Sequence, residues 1–128
     1  MAELRLLLAD GVPPRVLVVE DEALIALDIE IMLQSLGCVV VGPAATVAQA
    51  LHALAGGAPD AAILDVNLGH EQAFPVADRL VECHVPFVFL TGYSPDILPS
   101  RHRSRPVASK PCRAEALARL LAPVLAVR

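Results

Sequence analysis

Apolar residues along the chain come in short runs, separated by longer stretches whose spacing suits helices. Residues 15–19 carry an apolar, mostly β-branched run after Arg15 and are ended by acids, which predicts a buried strand. Residues 22–36 follow as a helix that Gly37 should stop. A second apolar run covers residues 39–42. Thr46 then offers an N-cap, with Gln49 placed as in a capping box, and this helix should end at Gly56 and Gly57. Residues 61–64 predict the third strand, which delivers Asp65 at its C-terminal end. A helix is expected from about Pro75, a residue suited to a first turn, to about Cys83. Residues 87–90 and 107–109 predict the fourth and fifth strands. The last helix should run from Ala114 to Leu121 or beyond, with Pro123 expected to kink or end it.

Strands that are apolar on both faces and alternate with helices call for a parallel sheet covered on both sides, so the expected class is α/β. The stretch from Tyr93 to Pro106 breaks the rhythm. Pro95, Pro99 and Pro106 punctuate it and residues 100–104 are polar, so a fourth helix should be short or irregular. A chain of 128 residues fits one domain, read as residues 15–128 behind an N-terminal extension of residues 1–14. The first helix carries two apolar lines. Ile25, Ile29, Met32 and Leu36 form one, and Leu27 and Ile31 lie on a different side. Either the helix packs under a neighbour and buries both, or the second line is a partner surface.

Composition narrows the class further. With 55% hydrophobic residues the chain can bury a core, but with 3% aromatics that core should be filled by Ala, Val, Leu and Ile. A net charge of −4 argues against a nucleic-acid footprint, and the cluster of Arg101, His102, Arg103 and Arg105 reads as a solvated loop. No apolar run reaches the roughly 20 residues needed to cross a bilayer. Residues 4–9, with Glu3 in front, are too short for a signal-peptide core, so a cytoplasmic protein without membrane contact is expected. Cys38, Cys83 and Cys112 share no metal-ligand spacing and read as small buried thiols in a reducing compartment. His52, His70, His84 and His102 pair with no nucleophile and read as surface or loop residues, although His70 lies near the loop after Asp65.

Ligands of open α/β sheets bind outside the carboxyl ends of the strands. Those ends carry Glu20-Asp21, Asp65, Thr91 and Lys110-Pro111. Taken singly, each has a plain structural reading: an acid capping a loop or favouring a helix N-terminus, or a surface lysine. Together they would gather carboxylates, a hydroxyl and an ammonium on one edge. Clustered carboxylates repel and raise one another's pKa values, and a hard divalent cation resolves that repulsion. Magnesium prefers carboxylate and water oxygens together with phosphate. A cation and a lysine suit an incoming anionic group, with a carboxylate as nucleophile and an acyl phosphate as product.

The segments Val-Val-Glu20-Asp21-Glu22, Leu-Asp65-Val-Asn67-Leu-Gly69, Leu-Thr91-Gly92-Tyr93 and Ser-Lys110-Pro111 resemble the receiver domains of two-component signalling, from about Arg15 to Val127. Phe87-Val-Phe89-Leu90-Thr91-Gly92-Tyr93 is similar to the signature of the FATGUY subgroup, with Leu90 where that pattern has alanine. The resemblance implies a flavodoxin-like, doubly wound five-stranded sheet of order 2-1-3-4-5. It implies Asp65 as phosphoacceptor. Magnesium would be bound by Asp21 directly, by Glu20 through water, by Asp65, and by the backbone carbonyl of Asn67. Thr91 and Lys110 would hold the phosphoryl group, and the Lys110–Pro111 peptide would be cis. Many receivers carry an aromatic residue where this chain has Val107, so the signal is expected to travel through residues 93–105 or another surface. Cys112, where the subgroup often has an aromatic, reads as a packing change.

The function expected from this is a single-domain response regulator of bacterial stress or cell-cycle signalling. It would accept phosphate from a histidine kinase or phosphotransfer protein and act as a switch or relay, without being a conventional enzyme. No output domain follows within the chain, so output should come from protein contacts or from passing the phosphate onward, with a second copy of the chain (a homodimer) among the candidate partners. A pseudo-receiver acting as a phosphate-independent scaffold is the alternative. An Asp-nucleophile phosphatase would want a second acid two residues after the nucleophile, where this chain has Asn67.

Overall fold

The computed structural model describes residues 5–8, 10–92 and 97–126. Its elements are β1 (Arg15–Val19), α1 (Ala23–Ser35), β2 (Val39–Ala44), α2 (Val47–Ala55), β3 (Ala61–Asp65), β4 (Asn67–Leu68), β5 (Glu71–Gln72), α3 (Phe74–Glu82), β6 (Phe87–Thr91), β7 (Val107–Ser109) and α4 (Ala114–Ala126). A short 3-10 turn, Ser100–His102, stands where a fourth major helix would lie, as the proline-rich sequence suggests. The main sheet is parallel in the order β2-β1-β3-β6-β7. With the small β4–β5 hairpin set aside, this is the expected 2-1-3-4-5 doubly wound arrangement.

Every residue of β3 and β6 is buried, which is why these runs are apolar without alternation. Two layers cover them. Leu17, Val19, Ala62, Leu64, Phe87 and Phe89 face α2, α3 and Leu98. Val16, Val18, Ile63, Val88 and Leu90 face α1 and α4. Leu6 joins the second layer, and its N–H donates to the carbonyl of Leu36 at 2.7 Å. Part of the N-terminal segment is therefore built into the core, a burial worth roughly 2 kcal/mol for a leucine.

The helix ends follow the local chemistry. Gly37 (φ 88°) closes α1, with Cys38 N–H donating to Leu33 O and Gly37 N–H to Gln34 O, a Schellman motif. Thr46 Oγ1 accepts from Gln49 N–H at 3.1 Å, but Gln49 Oε1 accepts from Ala45 rather than from Thr46, so the capping box is displaced by one residue. The apolar line of α1 that reaches the sheet is Ala26, Ile29, Leu33 and Leu36, while Ile25 and Met32 are half-buried. Leu24, Leu27 and Ile31 are exposed, so the second line is not covered by a neighbouring element.

Several expectations need correction. Strand β2 continues past Gly42 to Ala44 through a cis Gly42–Pro43 peptide. Its register against β1 shifts between Leu17 and Val19, and the N–H of Glu20 then donates to Ala44 O at 2.9 Å. A Cβ on Gly42 (φ 93°) would stand 2.9 Å from Ala44 N, so only glycine fits this bulge. Pro123 neither ends α4 nor begins its exit. The helix runs on to Ala126 because Leu117, Leu121 and Leu125 anchor it to the sheet, while Pro123 sits on the exposed side. His102 is 1% exposed and belongs to the interior, not to a solvated loop. Of the cysteines, Cys38 is buried, with its thiol pushed up to about 11 by burial, and Cys83 and Cys112 are only partly so. Tyr93, and with it part of the irregular stretch, lies outside the described residues.

His84 closes α3 in the left-handed region (φ 57°), with Val85 N–H donating to Leu80 O and His84 N–H to Val81 O. A side chain in that region costs about 1 kcal/mol relative to glycine. We expect His84→Gly to raise the melting temperature by roughly 3–5 °C, measured by calorimetry; an unchanged or lower value would show that the imidazole compensates for the backbone.

Candidate functional site

The parallel sheet places the sequence-predicted residues at one edge. Glu20 follows β1, Asp65 closes β3, Thr91 closes β6, and Lys110 follows β7. Glu20, Asp65 and Thr91 are all buried, and Asp21 is exposed. Lys110 Nζ donates to Asp65 Oδ2 at 2.8 Å. The same ammonium lies 2.8 Å from Glu20 Oε1, a charge contact whose angle falls short of an aligned hydrogen bond, so this oxygen has a countercharge but no well-aligned donor. The residues so joined, Lys110 and Asp65, are 45 positions apart in the chain.

Carboxylate oxygens of Glu20, Asp21 and Asp65 all lie within 4.8 Å of one another. Glu20 Oε2 accepts from the N–H of Glu22 at 3.2 Å, and Asp65 Oδ1 accepts from the N–H of Asn67 at 3.3 Å. Burial pushes the Glu20 carboxyl up to about 7; contact with Lys110 opposes the rise, and nearby Asp65 adds to it. Desolvation is thus the main cause, ahead of the carboxylate repulsion anticipated from the sequence. Burial also pulls Lys110 down, but its contacts with Asp65 and Glu20 outweigh that, leaving it above its ordinary value. A buried acid with a raised pKa beside an exposed one, all oxygen donors, is a set that suits a hard dication. Asn67 begins β4 two residues after Asp65 and borders the same cleft. An open cleft of about 470 Å³ lies over the cluster, bordered by Asp21, Asp65, Asn67, Gly92 and Lys110.

The Lys110–Pro111 peptide is cis. The backbone N–H of Lys110 donates to Thr91 O at 3.0 Å, tying the two strand ends together. The sequence reading missed the hairpin that follows Asp65. Strand β4 pairs with β5 across Gly69 and His70, with Gly69 at φ 69°. A glycine in a short polar stretch was the available signal. Gly69 borders the cleft beside Asp21: a Cβ there would be 3.6 Å from Asp21 Oδ2. Glu71 Oε2 accepts from the N–H of Val47 at 3.1 Å, so the hairpin also caps α2. His70 is exposed at the hairpin tip.

The family model for the response regulator receiver domain matches residues 16–120. The chain is similar to the transcriptional regulatory protein PdtaR of Mycobacterium tuberculosis, 35% identical over 94 residues, which cover 73% of this chain and 46% of that protein. It is similar to the phyllosphere-induced regulator PhyR of Methylorubrum extorquens, 35% identical over 89 residues, covering 67% of this chain and 33% of that one. The chain thus spans less than half the length of these curated relatives. A solution structure of SdrG from Sphingomonas melonis Fr1 matches with a TM-score of 0.77 and 44% identity, covering 98% of this chain and 99% of that one.

Because Glu20 is an acid whose folded value is raised, the folded state holds its proton more tightly than the unfolded chain. Its contribution to stability is therefore present below about 4.5 and lost as pH rises through about 7. In chelator-containing buffer, the thermal midpoint of the wild type should fall across that window relative to Glu20→Gln, whose profile should be flatter. Parallel profiles would show that burial of Glu20 exacts no cost.

Proposed function

The chain belongs to the response regulator receiver domain family, and we propose that it is a phosphorylation-controlled interaction switch or relay whose acceptor is Asp65. The observation that carries this reading is the ammonium of Lys110 at 2.8 Å from Asp65 Oδ2, inside a cluster of acids at the strand ends. The donor is a phosphohistidine on a histidine kinase or phosphotransfer protein. An Asp65 carboxylate oxygen attacks phosphorus, a P–O bond forms as the P–N bond breaks, and the electron pair of that bond returns to the donor imidazole. Lys110 exchanges its contact with Asp65 for one with a phosphoryl oxygen, and the Thr91 hydroxyl donates to another. Glu20, Asp21, Asp65 and the Asn67 carbonyl would hold Mg²⁺, which when bound neutralises charge on the acceptor and the phosphoryl oxygens.

The protein is not a turnover enzyme of metabolites in this reading. Its product is the acyl phosphate on itself, and its output is a change in affinity for a protein partner. No helix among the described residues is long and apolar enough to cross a membrane, and a cytoplasmic site of action fits a phosphohistidine donor. Incubation with Mg²⁺ and acetyl phosphate, followed by intact mass measurement, should give one phosphoryl adduct on the wild type and none on Asp65→Ala. An unmodified wild type would favour the phosphate-independent scaffold. Continuous release of phosphate from simple esters would instead favour a phosphatase.

The exposed face of α1 is where the donor would dock. Leu24, Leu27 and Ile31 are 82%, 51% and 55% exposed and stand on the helix that follows Glu20 and Asp21. Converting Leu27 and Ile31 to glutamine should slow phosphotransfer from a cognate donor about tenfold or more. The thermal midpoint and the acetyl phosphate reaction should not change. A loss of stability with unchanged transfer would remove the docking role.

A further inference from the structure

The chain contains only 3 phenylalanines, and all of them converge on one residue. His102 stacks on Phe74 at 6.2 Å between centroids and meets Phe87 and Phe89 edge-on at 6.0 and 5.8 Å. Phe87 and Phe89 also touch each other, at 5.4 Å. The imidazole is 1% exposed, and its Nε2 lies 2.8 Å from Asp78 Oδ1 on α3. Its Nδ1 has no hydrogen-bond partner among the described residues. A carboxylate facing Nε2 fixes the ring proton on that nitrogen. Among the described residues Asp78 is therefore the one polar contact of a ring otherwise packed against phenylalanines.

The same carboxylate is gripped from outside. Arg101 Nε donates to Asp78 Oδ1 at 2.9 Å and Arg101 Nη2 to Oδ2 at 3.1 Å. Arg101 holds the Asp78 carboxyl below its ordinary value, and contact with His102 adds to the effect. The Arg101 pair is half exposed and so contributes little by itself. The enclosed contact with His102 matters more, because removing Asp78 would leave a buried donor without a partner.

We propose that Asp78 and His102 form a latch, with Arg101 gripping the carboxylate only from outside, that holds the β6–β7 connection against the sheet and couples it to the phosphoryl-receiving end of β6. The inference rests on the reading of Asp65 as phosphoacceptor. Its path is short. Thr91, which would hold the phosphoryl group, lies two residues beyond Phe89 on β6. Phe89 meets the imidazole of His102 edge-on, and its register partner on β7 is Val107, a residue without a ring. Leu98, 1% exposed, is the second anchor of the connection, and the Arg105 guanidinium lies 4.9 Å over Phe87. In this proposal a displacement at the Thr91 end of β6 is felt at Phe89, and the imidazole then either keeps Asp78 or leaves the nest, which would make it a two-state element able to pass a local event to a surface.

The test is amide hydrogen exchange over residues 98–105, with and without Mg²⁺ and beryllofluoride. In Asp78→Ala, exchange there should be about tenfold faster or more without beryllofluoride, the size expected from losing a charge-assisted hydrogen bond. Arg101→Ala should stay close to the wild type. Beryllofluoride should speed exchange over this segment in the wild type and add little in Asp78→Ala, although both proteins still take one phosphoryl group from acetyl phosphate. Wild-type exchange and a wild-type response in Asp78→Ala would overturn the latch. Should that variant fail to fold, Asp78→Asn keeps an acceptor for Nε2 and drops the charge. It should speed exchange several-fold, and no change in it overturns the proposal equally. If the wild type takes no phosphoryl group and shows no beryllofluoride effect at Asp65, the phosphoacceptor reading fails, while the Asp78 comparison still decides whether the latch exists.

Discussion

One ammonium shared by two buried carboxylates is the constraint on which the site depends. Lys110 Nζ stands 2.8 Å from both Asp65 and Glu20. Buried acids without a countercharge would take up protons or destabilise the fold, and a lysine without partners would do the same in the opposite sense. Each therefore makes the others tolerable. The pairing also demands a particular topology. Glu20, Asp65 and Lys110 follow β1, β3 and β7, and only a parallel sheet brings the ends of those strands to one edge.

What makes that edge rigid lies one layer below it. Strands β3 and β6 are buried along their whole length, so their register is held by packing on both faces. Asp65 and Thr91 inherit their positions from it. Glu20 is placed by a subtler device. The bulge at Gly42 and Pro43 lets Ala44 O accept from the N–H of Glu20 after the register shift. The acid consequently ends inside, against Lys110, while Asp21 faces the cleft. Adjacent acids on one strand end are thereby given different environments, one desolvated and one solvated, and a cation bridging them would touch both kinds.

The sheet and the acidic site were legible because their signals are local and repeated. Each strand is largely a short apolar run, and each site residue lies at the end of one or within two residues of it. The exceptions have physical reasons in common. His102 reads as a loop residue because its neighbours in sequence are arginines and serine; what buries it is contact with Phe74, Phe87 and Phe89, far away in the chain. Pro123 looks like a helix terminator until Leu121 and Leu125 are seen to hold α4 on the sheet. Leu6 lies in a segment with no regular element, yet it is covered by the second core layer. The hairpin at Asn67–Leu68 and Glu71–Gln72 is too short for periodicity to register. For His102, Pro123 and Leu6 the deciding term was tertiary contact, which local sequence does not display.

The aliphatic bias of the composition sharpens the meaning of the one aromatic nest. A core built from Val, Leu, Ile and Ala gives mostly non-directional packing, which tolerates small shifts. The three phenylalanine rings and one imidazole have preferred geometries, and the imidazole adds a directional bond to Asp78. They are gathered beneath the β6–β7 connection, the stretch where prolines and polar residues leave a 3-10 turn in place of a longer helix. A segment with little secondary structure has few backbone bonds to keep it in place, so its position depends on a few side chains. Among its described residues those are Leu98 and His102, both almost wholly buried. Concentrating the anchors in this way ties the connection's placement to the end of β6, where Thr91 meets the site, and to a carboxylate on α3.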